Sequence, residues 1–205
     1  MLRAVQPLRL YGTVTSPYVR RVRVVARELG LVYELTDTAT EAGQAALRSV
    51  SPIWKVPTAE LDGAPVFDSS VISEALLRRH GPGPLAAYDP SELAIRNLLT
   101  VIDGALDALI NGFYLGRDGA NADSSAYLRK QQDRAASAMA WLDARVDDVW
   151  LTPAKAFGIA EIALCTTIGW MEFRNTYATD RHPALRRLYA RHCERPSLIA
   201  TAPHD

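Results

Sequence analysis

Apolar and polar positions change their period several times along this chain, and each change marks an element. Leu8, Leu10 and Tyr11 form a short apolar run that predicts a strand over 8–11. From Pro17 the period lengthens: Val19, Val22, Ala26 and Leu29 recur at three- and four-residue steps. Arg20, Arg21, Arg23 and Arg27 mark the other face and Gly30 stops the pattern, which predicts a helix over 17–29. The run 31–35 predicts a second strand, and strand, helix, strand at this spacing implies parallel pairing through a right-handed crossover. Residues 36–50 are polar and alanine-rich, with a short helix expected around 44–48. The runs 58–61 and 64–67 flank Asp62-Gly63, a strong hairpin signal. Asp68-Ser69-Ser70 then caps a helix through Arg79, with Val71, Ile72, Ala75 and Leu76 as its expected apolar face.

Gly81-Pro82-Gly83-Pro84 cannot continue a regular element and marks a boundary. Beyond it every strong pattern is helical. One helix starts near Pro90 and carries Ile95, Leu98, Ile102, Leu106 and Leu109, followed by a glycine-containing loop expected over 112–123. A second runs over 124–146, a third over 158–174, and a fourth over 183–192, ended by Arg195-Pro196. The third is apolar nearly all round, so it belongs at the centre of its bundle, and its one early charge, Glu161, is placed to reach back to an N-terminal backbone N–H. The fold class is therefore α/β plus all-α: βαβ-ββα over 1–82 and an all-helical domain over 88–205.

Composition removes several function classes. Lys plus Arg (23) balance Asp plus Glu (23), so no basic excess points to nucleic acid or an anionic membrane. No apolar stretch has bilayer-spanning length, and Met1–Pro7 lacks a long apolar segment, so a cytoplasmic protein is expected. Cys165 and Cys193 are too far apart in sequence for a zinc-type pair, and Cys165 reads as buried packing. His80, His182, His192 and His204 are scattered and read as surface or helix-end residues, with no metal site.

Candidate chemistry concentrates in Tyr11–Arg20. Ser16 is a favoured N-cap and Pro17 is pre-set for the first helical position, so unpaired N–H groups and the positive end of a helix dipole meet a hydroxyl there. Such a place suits an anion, a thiolate or a phosphate. Tyr11, Thr13 and Thr15 offer rival hydroxyls.

Four segments in order, Tyr11 with Ser16-Pro-Tyr-Val-Arg20, Ser51-Pro-Ile-Trp-Lys-Val-Pro57, Asp68-Ser69 and Gly158-Ile-Ala-Glu161, together resemble the motifs of the cytosolic glutathione S-transferases. The resemblance covers nearly the whole chain. It implies a thioredoxin-like glutathione-binding domain over 1–82 and a helical domain over 88–205, with glutathione as co-substrate and a homodimer as the assembly. Ser16 is then the catalytic group, donating to the sulfur of bound glutathione; Tyr11, Thr13 and Thr15 remain alternatives. Ser16-Pro-Tyr-Val mirrors the glutaredoxin Cys-Pro-Tyr-Cys with both thiols gone, which removes exchange through an enzyme cysteine. The resemblance places a cis Pro57 beside Val56, whose backbone would pair with the cysteinyl amide of glutathione as an added strand does. Asp68 would take the γ-glutamyl ammonium, Ser69 its carboxylate, and Lys55, with Trp54, the glycine carboxylate. The electrophilic small molecule would lie between the domains against Tyr18, Tyr114 and Trp170, and Asp103 would reach a neighbouring subunit's glutathione. Trp54 replaces the family's Gly, and Gly158 and Glu161 replace its Ser/Thr and Asp, which predicts a weaker cap on an unchanged fold.

The function so implied is a transferase that holds glutathione as a thiolate for attack on an electrophile. A non-catalytic glutathione- or protein-binding member of the same fold, and a glutathione-dependent peroxidase or isomerase, carry the same motifs.

Overall fold

The strand β1 (Leu8–Gly12) pairs on both of its edges and so organises the sheet. On one edge β2 (Tyr33–Asp37) runs parallel to it, with Leu8 opposite Tyr33 and Leu10 opposite Leu35. On the other, β3 (Thr58–Leu61) runs antiparallel with Tyr11 opposite Thr58, and β4 (Ala64–Val66) continues from it through the Asp62-Gly63 turn. The order β2-β1-β3-β4 is the mixed thioredoxin-like sheet that the resemblance implied. The computed structural model describes residues 8–204, so Met1–Pro7, on which the expectation about the N-terminal segment rests, lie outside the described residues.

β2 begins two residues later than its apolar run. Leu31 N–H is spent on Ala26 O at 2.8 Å, closing the end of α1 (Pro17–Glu28), and Val32 stays outside the strand with its side chain in solvent. In α1 the arginine face departs from the periodicity. Arg20, Arg21 and Arg23 are buried, and only Arg27 is exposed. Arg20 Nη2 donates to Leu198 O at 3.0 Å, Arg21 Nη1 to Ser69 Oγ at 3.5 Å, and Arg23 Nε to Tyr33 Oη at 3.1 Å. Long aliphatic stems with polar ends can line an interior when partners wait there, which a spacing rule does not register. Helix α2 (Glu41–Val50) is twice the expected length, capped by Thr40, whose Oγ1 accepts from Gly43 N–H at 3.0 Å. Gly43 is obligatory, because a Cβ there would sit 1.9 Å from Asp37 O. In α3 (Ser69–His80) Ile72 and Leu76 are buried as expected, whereas Val71 is exposed and Ser73 and Leu77 turn inward instead.

The described residues form two compact units: 8–88 with 195–204, and 89–194. The first takes in a short C-terminal helix, α8 (Pro196–Ile199), too short for its pattern to announce itself. Arg195 clasps Glu28 with two hydrogen bonds, Nε at 3.1 Å and Nη2 at 2.9 Å, and Ser197 Oγ donates to the same carboxylate. Burial pushes the Glu28 carboxyl up, but the bonds from Arg195 and Ser197 together with the Arg195 charge outweigh it, leaving Glu28 below the ordinary range. A depressed acid contributes stability above its unfolded value and loses it as pH falls through its folded one. Glu28→Gln should therefore cost about 1–2 kcal/mol at neutral pH. In thermal unfolding the cost should shrink as pH drops below the usual glutamate value; a pH-independent difference would remove the charge from this account.

The second unit is helical: α4 (Leu93–Arg117), α5 (Ala126–Asp143), α6 (Ile159–Arg174) and α7 (Pro183–His192). The loop expected from Gly112 begins only after Arg117, so α4 runs on through Gly112 and Gly116. Glycine inside a helix costs roughly 1 kcal/mol, which packing along α5 readily offsets. α6 is buried on nearly every face, as predicted. His182 and His192 bound α7 but are not surface residues. His192 packs between Trp150 and Phe157 with Nε2 3.0 Å from Val149 O, and His182 Nε2 meets Tyr177 Oη at 2.8 Å. Cys165 is buried, as expected.

Candidate functional site

The antiparallel register sets the C-terminal end of β1 beside the N-terminal end of β3, so Tyr11–Ser16 and Val56–Pro57 leave the sheet at the same edge. Arg21, reaching from α1 to Ser69, ties the start of α3 to the same side.

Ser16 is the N-cap of α1, half-buried, with Oγ accepting from Val19 N–H at 3.3 Å. That bond uses an oxygen lone pair and leaves the hydroxyl proton without an acceptor among the described residues. Ser16 thus keeps a donor proton at the helix end, where the dipole already favours negative charge. Thr13 and Thr15 bond to each other at 3.2 Å, which spends one of their two hydroxyl protons, and neither caps a helix as Ser16 does. Tyr11 is buried and donates to Glu60, which also faces Arg9 at 3.5 Å. Burial, then the hydrogen bond and charge of Glu60, push the Tyr11 phenol above its ordinary range, the reverse of what a phenol needs to share a proton with a thiolate.

The Val56–Pro57 peptide is cis, as the resemblance implied. Neither the N–H nor the C=O of Val56 is hydrogen-bonded among the described residues, and Val56 is half-buried. Unpaired backbone beside a strand end is what an added peptide strand requires. Lys55 is exposed, with no ion pair for Nζ among the described residues, and only its carbonyl is used, accepting from Thr58 Oγ1 at 3.0 Å. Trp54 adopts a left-handed φ of 52° and stands 60% exposed, with the Arg48 guanidinium 4.9 Å above its ring.

Asp68 caps α3: Oδ1 accepts from Ser70 N–H at 2.8 Å and Val71 N–H at 3.4 Å, while Oδ2 has no partner among the described residues and faces solvent. Ser69 is buried with its hydroxyl turned to Arg21, so what it offers a ligand is its backbone N–H, unbonded among the described residues. A carboxylate oxygen and a helix-start N–H on adjacent residues match a group bearing both an ammonium and a carboxylate. Tyr18 is half-buried, with the Arg21 guanidinium 5.4 Å above its ring.

The remaining sequence candidates belong to the second unit. Tyr114 is 58% exposed, Trp170 is 5% exposed, and Asp103 is half-buried on α4. Phe113, unremarked in the sequence, joins the two aromatics edge-on, 5.3 Å from Tyr114 and 5.8 Å from Trp170, with Arg117 and Arg174 within 5.9 and 5.6 Å of its ring. Only the spacing of Phe113 and Arg117 on one helix could have signalled it.

Among the described residues no cluster of three or more His, Cys, Asp or Glu is arranged to hold a metal ion, and no helix is long and apolar enough to cross a membrane.

Comparison with known proteins gives this geometry a context. Residues 10–84 match the family model of the glutathione S-transferase N-terminal domain. Over 202 residues the chain is 26% identical to YibF, an uncharacterized GST-like protein of Escherichia coli (strain K12), spanning 96% of this chain and 98% of that protein. A glutathione S-transferase of Methylobacterium radiotolerans, solved with glutathione sulfonate, superposes with a TM-score of 0.82 at 29% identity, over 98% of this chain and 96% of that one. A glutathione transferase family member from Pseudomonas fluorescens Pf-5, solved with bound glutathione, gives 0.83 at 29% identity over 97% and 100%.

Proposed function

We propose that this chain, which belongs to the cytosolic glutathione S-transferase family, binds glutathione at the sheet edge and activates its thiol for attack on an electrophilic small molecule. The observation that carries the reading is the Ser16 hydroxyl, held at a helix N-terminus with its proton free to give.

Glutathione lies along Val56, its cysteinyl amide paired with the open backbone groups there and its glycine carboxylate near Lys55 and Trp54. Its γ-glutamyl ammonium meets Asp68 Oδ2 and its γ-glutamyl carboxylate meets Ser69 N–H. Ser16 donates to the sulfur, the thiol proton leaves to solvent, and the thiolate attacks carbon, expelling a leaving group or adding to a conjugated bond. A free thiol, with a pKa of about 8.5, is only a few per cent ionised at neutral pH. A drop of about two units corresponds to roughly 2.7 kcal/mol, the scale of one charge-assisted hydrogen bond plus a helix end.

In this reading residues 1–82 carry the glutathione site, and residues 89–194 form the helical domain. Asp103 serves the glutathione of a second copy in a cytoplasmic homodimer.

Calorimetric titration tests the binding half. Glutathione should bind saturably, and Asp68→Ala should weaken it at least about tenfold, the cost of a lost charge-assisted contact. Asp68→Asn keeps the helix cap and separates the two roles of this residue. No heat of binding across millimolar glutathione would overturn the reading.

A further inference from the structure

The loop that carries Trp54 is held against its own backbone preference. Trp54 has a φ of 52°, in the left-handed region where glycine sits without strain and a bulky side chain is disfavoured. Burial gives nothing in return, because the side chain is 60% exposed. What the indole does gain is the Arg48 guanidinium, 4.9 Å from its ring centre and reaching over from the last turn of α2. A basic residue in that turn suits the helix dipole, but the dipole alone requires no indole beneath it. Arg48 and Lys55 are both exposed, and neither pairs with a carboxylate among the described residues. Two cations without an acidic partner and one open apolar face thus share residues 48–55.

The placement of glutathione proposed above gives this segment a direction. With the γ-glutamyl group at Asp68 and Ser69 and the cysteinyl amide on Val56, the residue after the cysteine lies on the Lys55 side of Val56. Glycine brings one carboxylate and no side chain there, so it answers one cation and leaves the indole bare. Glutamate brings methylenes that can cover an aromatic face and a second carboxylate. A guanidinium takes that carboxylate through two parallel N–H groups, which an ammonium does not offer.

We propose, resting on that reading of the thiol site, that this chain prefers γ-glutamylcysteinyl peptides whose third residue carries a carboxylate of its own. The main-chain carboxylate goes to Lys55, the side chain crosses Trp54, and its carboxylate meets Arg48. Trp54 and Arg48 then determine specificity for the peptide and take no part in the chemistry at sulfur.

The test is calorimetric titration of the full chain with three thiol peptides that differ only in the third residue: glutathione, the peptide ending in glutamate and the peptide ending in glutamine. The glutamate peptide should bind about three- to tenfold tighter than the glutamine peptide, the scale of one exposed charge-assisted contact, and the ratio should shrink as salt is raised. Arg48→Gln should bring that ratio close to one. Trp54→Gly relieves the backbone and should lower the affinity of both longer peptides relative to glutathione. Both substitutions lie at exposed positions, away from the core. Glutathione binding with a glutamate-to-glutamine ratio near one in the parent, or a preference for glutamate that survives Arg48→Gln, overturns this proposal and leaves the glutathione reading standing. No binding of any of the three peptides overturns both.

Discussion

Alanine at position 16 is expected to lower kcat/KM for conjugation of an aryl halide by about 10–100-fold while glutathione affinity changes by less than about threefold. The upper figure is the full two-unit thiol shift, roughly 2.7 kcal/mol. The lower figure allows for the end of α1, whose N–H groups and dipole remain in the variant. The substitution also removes an N-cap, because Ser16 Oγ accepts from Val19 N–H. That loss costs about 1 kcal/mol and a few degrees of melting temperature. Ser16→Thr keeps both the cap and the hydroxyl, so it should recover stability and most of the turnover. A kcat/KM unchanged in Ser16→Ala would take Ser16 out of the mechanism, and Thr13 or Thr15 would be next to examine.

The largest effect on stability is expected at Glu161, which is 0% exposed. Its carboxylate accepts from Leu151 N–H at 3.1 Å, Gly158 N–H at 3.1 Å and Thr152 Oγ1 at 3.4 Å. It therefore closes the start of α6 and pins the 151–152 segment in one stroke. The cap at Gly158 is weak in itself, since glycine brings no side-chain acceptor, and Glu161 supplies what Gly158 lacks. Glu161→Ala strands three buried donors and leaves a void, so a loss of about 3–5 kcal/mol and a melting temperature lower by roughly 10 °C are expected. Glu161→Gln keeps one acceptor and should fall between. Burial pushes the Glu161 carboxyl above the usual range against the pull of these backbone bonds. With a raised folded value, its contribution is full below the ordinary glutamate value and is lost as pH rises through the folded one, the reverse of Glu28. A Glu161→Ala protein melting within about 2 °C of the parent would contradict this network.

Sequence reasoning reached what local chemistry decides. Ser16-Pro17 announced a capped helix, Asp62-Gly63 a hairpin, Asp68 a cap and Glu161 a return to its own helix start, and each rests on partners within a few residues. It missed what distant partners decide. Arg20, Arg21 and Arg23 read as a solvent face, yet their partners come from α8, α3 and β2. Periodicity cannot see a carbonyl 178 residues away. The same holds for His192, held on Val149 O 43 residues away, and for α4 running on through Gly112, where neighbouring helices set the outcome. At the candidate site the hydroxyls of Tyr11, Thr13, Thr15 and Ser16 were indistinguishable by type. The fold gives Tyr11 to Glu60 and spends one proton of the Thr13–Thr15 pair, while Ser16, at the N-cap of α1, keeps its own.

The most direct measurement follows the ultraviolet absorbance of the thiolate of bound glutathione against pH, in the parent protein, Ser16→Ala and Tyr11→Phe. The bound thiol in the parent should titrate about two units below the free value of about 8.5. Ser16→Ala should return it by about one unit or more, and Tyr11→Phe should leave it in place. A bound thiol titrating at the free value in the parent, or one that Ser16→Ala does not move, would contradict the assignment of Ser16 as the group that holds the thiolate.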